Sequence, residues 1–207
     1  MKTFRSIAIA LVMLGLASTS ASARPLVEKP IYNEETKSYF ELIDITRYNN
    51  GAGVPWGKAR ILAERRSFGG VKGRLAVIPS ATTDMFIRLN LQPPGHTWFG
   101  LYYDCNNKTL NWVTGETLPK TGYANWRDPW YRGHPGLFCR VGSNIMPVFL
   151  ALGHPDRAWA IQLPAKWWYH YIVEYPTGKR LPNENELSPV SESITDLLMR
   201  SDQVQDE

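Results

Sequence analysis

The sequence predicts an α+β fold in which two helices come early and short antiparallel strands follow. Two segments, residues 56–66 and 80–92, carry apolar residues at helical spacing, and each is followed by glycine or proline. From residue 97 onward the chain consists of short runs rich in aromatic and β-branched residues, separated by turn residues. Helices followed by a group of strands are typical of an α+β domain.

Residues 1–23 have the pattern of a secretory signal peptide. Lys2 and Arg5 give a basic start, residues 7–16 are apolar, and residues 21–23 are small enough for a cleavage site. The apolar stretch has 10 residues, whereas a membrane-spanning helix requires about 20. We therefore expect a secreted or periplasmic protein with no membrane span; an uncleaved membrane anchor is the alternative.

The composition of the remaining chain suits one domain. Without residues 1–23 the chain has 184 residues, which is enough for a sizeable core. The net charge falls from +4 to +2, because Lys2 and Arg5 leave with the first segment. A charge of +2 is too small to indicate a nucleic-acid partner. Several basic residues share one predicted helix, where we expect a solvated face: Lys58, Arg60, Arg65 and Arg66.

The ends of the chain differ from its middle. Residues 24–38 are polar and contain proline, which predicts an N-terminal linker before a domain over residues 39–176. Residues 177–207 are acidic, and this composition predicts a flexible tail. The alternative for the tail is a partner-binding helix, because three apolar residues near its end have helical spacing: Ile194, Leu197 and Leu198.

The chain has two cysteines, Cys105 and Cys139. Because export favours oxidation, we predict that they form one disulfide; two buried free thiols are the alternative. The bridge would close a loop of 34 residues and stabilise the fold by roughly 3–4 kcal/mol. No spacing of cysteine and histidine indicates a zinc site.

The first half of the domain contains two strands and two helices. Residues 39–45 predict a strand, Pro55 precedes a helix over residues 56–66, and residues 75–78 predict a short apolar strand. Ser80 is a good N-cap for the second helix, with Thr83-Asp84 in the first turn. Its apolar side is predicted from the spacing of three residues: Met85, Phe86 and Leu89.

The second half is predicted to be mostly strands around one long loop. Residues 97–103 and 110–113 flank Asn106-Asn107 and predict a β-hairpin. Later strands are predicted over residues 137–141, 148–152, 158–163 and 169–175. Residues 115–136 form a long loop with several glycines and prolines, and such loops in compact domains are usually functional or disordered.

Six short motifs follow one another along residues 39–176. They are Trp56-Gly57-Lys58-Ala59, the run from Gly70 to Ile78, Trp98-Phe99-Gly100-Leu101, Trp112-Val113-Thr114-Gly115, Tyr123-Ala124-Asn125-Trp126 and Ile172-Val173-Glu174-Tyr175-Pro176. In this order and spacing they resemble the C-type lectin-like domain. The resemblance implies two helices, short antiparallel sheets and a long loop that Tyr123 and Trp126 anchor in the core.

The chain departs from that family at both usual disulfides. The first disulfide of the family would join the early helix to the last strand. At these positions the chain has Ala63 or a neighbour facing Val173, which implies an apolar contact instead. Cys139 matches the first cysteine of the second pair, but residues 160–163 contain no cysteine to match its partner. A bridge from Cys139 to Cys105 is not part of the family pattern.

The chain also departs from the family's calcium motifs. The triplet position reads Asp128-Pro129-Trp130, and Trp159-Ala160-Ile161 stands where the family has Trp-Asn-Asp. Calcium requires about 6–8 oxygen ligands, and alanine and isoleucine supply no side-chain oxygen. We therefore expect a protein that binds no calcium and needs no cofactor.

Large aromatic residues in a loop suggest a recognition surface. The candidate ligand-binding residues are Trp126, Arg127, Asp128, Trp130, Tyr131 and Arg132. Trp130 and Tyr131 have no structural role in the family, so a surface contact and local packing remain alternatives for them. Of Trp167 and Trp168, one is expected in the core and one on the surface, because neighbouring strand residues face opposite sides.

These features predict a recognition module that binds a glycan without calcium, since indole faces stack on the C–H faces of sugars. The alternative is a protein ligand, because tryptophan, tyrosine and arginine are enriched at protein hot spots. An enzyme is not expected. The sequence has no nucleophile elbow, HExxH, Walker loop or GxGxxG motif, and its four histidines are scattered.

Overall fold

The structure, a computed structural model, describes residues 29–47, 51–128, 139, 143–151 and 158–191. The described helices are α1 (Trp56–Glu64) and α2 (Ala81–Phe86), with a 3₁₀ turn over Ile45–Arg47 and a π-helical segment over Ile87–Leu91. The strands are β1 (Ile31–Asn33), β2 (Ser38–Asp44), β3 (Val54–Pro55), β4 (Arg66–Phe68), β5 (Val71–Lys72), β6 (Arg74–Leu75), β7 (Thr97–Asp104), β8 (Thr109–Trp112), β9 (Ile145–Leu150), β10 (Trp159–Ile161), β11 (Trp167–Trp168), β12 (His170–Tyr175) and β13 (Val190–Ser191). These elements confirm the predicted α+β class.

The central sheet has the strand order β1-β2-β12-β7-β9-β10. Its pairs are antiparallel except β12 with β7, which is parallel; β6 adds to β12 and β8 to β7. Two small sheets, β3 with β11 and β4 with β5 and β13, complete the described part. The β7–β8 pair is the predicted hairpin, and β2 is the predicted first strand. The prediction for residues 137–141 lies outside the described residues apart from Cys139.

Two hydrophobic clusters fill the molecule. The first contains the inner side of α1 and sheet residues such as Ile43, Trp98 and Tyr171. The second contains Phe40 and Trp159 from the sheet together with the π-helical segment. In β2, Tyr39 and Ile43 enter the first cluster and Phe40 and Leu42 the second, because successive side chains of a strand face opposite sides.

The first helix follows its prediction closely. It begins at Trp56, directly after Pro55, and the Trp56 indole Nε1 donates a hydrogen bond to the Phe99 carbonyl at 2.8 Å. Ala63 and Val173 are buried in the same cluster, in agreement with the expected apolar contact. Arg66 corrects the prediction of a solvated basic face, because it follows the helix as the first residue of β4 and is buried.

Glycine is required in the Trp98-Phe99-Gly100-Leu101 motif by the close approach of two backbone segments. The Gly100 amide donates to the Ala76 carbonyl at 2.8 Å. A Cβ atom at residue 100 would lie 2.7 Å from the Leu75 carbonyl oxygen and 2.9 Å from that of Ala76. A side chain here would push β7 away from the chain that follows β6.

The second helix begins as predicted but buries a different side. The Ser80 Oγ accepts a hydrogen bond from the Thr83 amide at 3.1 Å and caps the helix.

Met85 and Leu89 are 52% and 64% exposed, so the prediction of an apolar side through these two residues is wrong. Phe86, the third residue predicted for that side, is partly buried and packs against the second cluster. The fully buried residues are Thr83, Asp84, Ile87 and Leu91. The π-helical segment explains part of the difference, since its wider turns do not follow the spacing of 3.6 residues.

The prediction of a linker over residues 24–38 is wrong for the last residues of this range. β1 pairs with β2 in register Ile31 with Phe40, so the sheet begins within residues 24–38. In the turn between the two strands, the Glu35 carboxylate accepts hydrogen bonds from the hydroxyls of Ser80 and Thr83 at 2.8 and 2.9 Å. This segment therefore belongs to the domain and contacts the start of α2.

The predicted flexible tail is wrong for residues 177–191. Leu181 and Leu187 pack against the first cluster, and β13 pairs with β4. The Leu181 amide donates to the Tyr39 hydroxyl at 2.8 Å, and this hydroxyl donates to Glu184. The domain thus extends past residue 176, while residues 192–207, including the proposed partner helix, lie outside the described residues. Within the described residues, each helix is too short or too polar to cross a membrane.

Candidate ligand-binding site

The long loop begins by folding back along β8. After Gly115, whose φ is +88°, the Leu118 amide donates to the Leu110 carbonyl at 2.7 Å. The Thr117 hydroxyl donates to the Asn111 side chain at 2.9 Å. These contacts hold the first residues of the loop against the hairpin and leave residues after 120 to cross toward β10.

The loop is fixed again where it meets β10. The Trp159 amide donates to the Asn125 carbonyl at 2.6 Å, and the Arg127 amide donates to the Trp159 carbonyl at 2.8 Å. These bonds form a parallel bridge between Trp126 and Trp159. The backbone at residues 125–127 is therefore bound to the first residue of β10.

Aromatic packing strengthens this attachment. The Trp126 side chain is 9% exposed, and its ring meets the Trp159 ring edge-on with centroids 5.8 Å apart. Tyr123 meets Trp159 in the same way at 5.7 Å. Trp126 thus has the anchoring role that the resemblance implies for it. Its inclusion among the ligand-binding candidates needs correction, because its ring is used in the core.

A buried carboxylate lies under the loop. Asp84 is 0% exposed, and its Oδ2 accepts hydrogen bonds from the Tyr123 hydroxyl at 2.8 Å and the Asn125 side chain at 3.2 Å. The Arg88 Nε lies 3.3 Å from the same oxygen. Burial raises the pKa of the Asp84 carboxyl, whereas the bond from Tyr123 and the charge of Arg88 act in the opposite direction. Asp84 therefore joins α2 to the loop.

The sequence predicts Asp84 only as a residue of the first helical turn, so its contact with the loop was not expected. A signal was present, because Asp84, Ile87 and Leu91 recur at intervals of three and four residues. The apolar spacing of Met85 and Leu89 competes with this pattern and predicts a different buried side.

The remaining candidates follow the anchored residues. Arg127 and Asp128 are exposed and come directly after Trp126, so their side chains lie on the surface beside the start of β10. Trp130, Tyr131 and Arg132 lie outside the described residues. Of these remaining candidates, the structure therefore places Arg127 and Asp128, directly after the anchored Trp126.

The segment after the loop is fixed by the predicted disulfide. Cys105 and Cys139 are bridged, with Cα atoms 5.8 Å apart, which confirms the prediction. Cys105 directly follows β7, and its amide donates to the Asn144 carbonyl at 2.9 Å. The bridge therefore ties the far side of the loop to the hairpin.

Removing this bridge is expected to destabilise the domain. The double variant Cys105→Ala/Cys139→Ala should lose about 2–4 kcal/mol of unfolding free energy, because the unfolded chain is no longer cross-linked. Urea unfolding with and without a thiol reductant measures this. The reductant should lower the stability of the unmodified protein and leave the double variant unchanged; equal stabilities of the oxidised protein and the variant would contradict the expectation.

The positions of the family's calcium motifs offer few oxygen atoms. In β10, Trp159, Ala160 and Ile161 are all buried apolar residues. Asp128 is the first residue at the position of the family's triplet, and it is exposed. Over the described ranges, no three histidine, cysteine, aspartate or glutamate side chains are grouped so that they could hold a metal ion.

Two helices, a β1–β2–β12 edge, a hairpin of β7 and β8 and a loop anchored on β10 define the C-type lectin-like fold, and the protein has this fold. Human lithostathine is similar over 72% of this chain and 88% of its own, with 14% identity and a TM-score of 0.51. SPL-1, solved as a complex with GlcNAc, is similar over 74% of this chain and 97% of its own, with 13% identity and a TM-score of 0.51. At these identities the likeness concerns the fold alone. No protein-family model and no curated protein matches the chain.

Proposed function

We propose that the protein is a recognition module that binds a carbohydrate through the loop after Trp126. The observation that supports this most is the attachment of residues 125–127 to Trp159, by two backbone hydrogen bonds and by ring packing. Holding residues 125–127 in place lowers the entropy cost of binding through the residues that follow Trp126 in the sequence. Those residues include two aromatic and two basic side chains: Arg127, Trp130, Tyr131 and Arg132.

We further propose that binding does not require calcium. In β10, the Ala160 and Ile161 side chains supply no oxygen and are buried. Asp128 alone could contribute carboxylate oxygen from the triplet position, and calcium takes about 6–8 oxygen ligands. Stacking of aromatic rings on sugar C–H faces, with hydrogen bonds from the arginines, needs no metal ion.

A glycan array run with and without EDTA tests both parts. We expect the same signals in EDTA and a loss of about tenfold or more for Trp130→Ala, because an aromatic residue at a binding surface is a common hot spot. Leu89→Ala is the matched control, since it removes an exposed apolar side chain from α2 and should leave the signals unchanged. Signals that vanish in EDTA would disprove the calcium-independent proposal, and full binding by Trp130→Ala would remove the loop from the site.

A protein ligand is the second candidate. The exposed Arg127, which precedes Trp130 and Tyr131 in the sequence, supports it, because arginine, tryptophan and tyrosine are enriched at protein hot spots. An empty glycan array, together with a purified partner whose affinity falls for Arg127→Ala, would favour this candidate. In either case the proposed role is binding without catalysis.

We also propose export of the protein, on the basis of residues 1–23 and the disulfide. Exported proteins commonly retain such bridges, whereas the cytosol reduces them. Fractionation of expressing cells, with a blot for the processed form lacking residues 1–23, tests the location.

A further inference from the structure

One carboxylate oxygen binds two side chains at the base of the loop. Asp84 Oδ2 accepts hydrogen bonds from the Tyr123 hydroxyl at 2.8 Å and from the Asn125 side-chain amide at 3.2 Å. These two donors are the first and third residues of the motif Tyr123-Ala124-Asn125-Trp126 that anchors the loop. A single atom of α2 therefore contacts the anchoring motif at two of its positions.

The Asp84 carboxylate is fixed by the domain and not by the loop alone. The side chain is 0% exposed, and the Arg88 Nε lies 3.3 Å from Oδ2, one turn further along the chain. The preceding residue, Thr83, is held by the Ser80 cap through its amide and by Glu35 through its hydroxyl. Because Asp84 can accept these bonds as an anion, they are stronger than bonds between neutral groups.

The other contacts of the motif hold it in a different way. The Tyr123 and Trp126 rings pack on Trp159, and the Asn125 carbonyl accepts a hydrogen bond from the Trp159 amide at 2.6 Å. All of these contacts are made to β10, whereas the two bonds to Asp84 are made to α2. The motif is therefore bound to two separate elements, and Asp84 provides the described hydrogen bonds to the second of them.

We propose that Asp84 is a positioning residue for ligand recognition, which holds residues 123–127 against β10 without touching the ligand. This inference rests on the proposed function of the loop. Without the carboxylate, the Tyr123 hydroxyl and the Asn125 amide lose this acceptor inside the protein, and detachment of the loop gives them water instead. A ligand that needs the attached loop then binds more weakly, in proportion to the fraction of molecules in which the loop is attached.

Hydrogen exchange without any ligand tests the positioning role. The Arg127 amide donates to the Trp159 carbonyl, so it exchanges when the loop detaches from β10. We expect Asp84→Ala to speed this exchange about tenfold, because bonds to a charged group are lost. Asp84→Asn keeps a side-chain oxygen as acceptor and should restore most of the protection. Met85→Ala is the matched control, since it removes an exposed side chain from the next position of α2.

The amides of β12 show whether an effect is confined to the loop. β12 lies inside the central sheet, so its amides exchange on unfolding of the domain. In Asp84→Ala the Arg127 amide should therefore gain more in exchange rate than the β12 amides. Equal gains at both places would mean that Asp84 only stabilises the fold, and this result would overturn the proposal.

A milder variant removes one bond and keeps the aromatic ring. Tyr123→Phe loses the donor to Asp84 and retains the ring that packs on Trp159. It should speed exchange of the Arg127 amide about threefold, and it should add nothing further when combined with Asp84→Ala. Fully additive effects would show that the hydroxyl does not act through Asp84, and they would also overturn the proposal.

The glycan array relates the attachment of the loop to binding. We expect Asp84→Ala to lower the signals of the unmodified protein by severalfold and Asp84→Asn to retain most of them. Unchanged signals in Asp84→Ala, despite faster exchange of the Arg127 amide, would overturn the role of Asp84 in recognition. An array that is empty for the unmodified protein contradicts the proposed glycan ligand instead, and the exchange data then decide whether Asp84 positions the loop.

Discussion

Replacing Trp159 with alanine is expected to lower the free energy of unfolding by about 3–5 kcal/mol. Trp159 is 0% exposed, and the centroids of four aromatic rings lie 5.1 to 6.0 Å from the centroid of the Trp159 ring: Phe99, Trp112, Tyr123 and Trp126. Removing the indole leaves a cavity that these large rings cannot fill without moving. Urea unfolding followed by far-UV circular dichroism measures the loss.

The same substitution should also weaken ligand binding through the loop, because Tyr123 and Trp126 both pack on the missing ring. Trp167→Ala is the matched control for stability. It removes the same side chain from an exposed position and should change the free energy of unfolding by less than about 0.5 kcal/mol. If Trp159→Ala is no more destabilising than Trp167→Ala, the Trp159 ring does not hold the core and the loop together.

Replacing Arg66 with methionine is expected to cost about 3–5 kcal/mol, because it leaves a buried carboxylate without its cation. The Arg66 guanidinium donates to both carboxylate oxygens of Glu41, at 2.6 and 3.1 Å, and to the Tyr175 hydroxyl at 3.2 Å. Burial raises the pKa of the Tyr175 hydroxyl, which stays protonated and donates to Glu41. The charge of Glu41 raises the pKa of Arg66 despite its burial.

Two further variants distinguish an unpaired charge from lost packing. Arg66→Met/Glu41→Leu removes both charges and should recover a large part of the stability, since apolar replacements of a buried pair are often tolerated. Arg60→Ala breaks the exposed pair with Glu64, whose atoms are 3.8 Å apart, and should cost less than about 1 kcal/mol. Guanidinium chloride unfolding compares all three, and a double variant as unstable as Arg66→Met would contradict the charge explanation.

Local signals were enough to predict the elements that carry them. Pro55 marks the start of α1, Asn106-Asn107 marks the turn of the hairpin, and two cysteines in a chain with a signal-like start predict the bridge. Each of these predictions depends on a few neighbouring residues or on one pair, and the structure confirms all three.

Features that depend on distant contacts were not predicted. β1 has three residues and exists because it pairs with β2, while its neighbour Glu35 binds hydroxyls of the distant Ser80 and Thr83. Residues 177–191 are mostly polar and contain two prolines, yet Leu181 and Glu184 are held by the hydroxyl of Tyr39. Arg66 has the spacing of a helical surface residue, but the buried Glu41 binds it.

In the candidate site, too, the local motif was predictable from the sequence, whereas the distant contact was not. The motif Tyr123-Ala124-Asn125-Trp126 was sufficient to predict a loop anchor, because its resemblance to the C-type lectin-like motif implies that role. It could not reveal that Asp84, 39 residues before Tyr123, accepts the hydroxyl of that anchor. Exposure of Arg127 and Asp128 follows from their place just after the anchor.

The strand order of the central sheet has a practical consequence for attaching the domain to a surface. β1 forms one edge of the sheet and β10, with the anchored loop, forms the other, about five strand spacings or roughly 24 Å away. A biotin or a fusion partner joined before residue 29 would therefore leave from the edge opposite the loop. If the domain is immobilised through this end, its loop faces the solution and is accessible to large ligands such as polysaccharides.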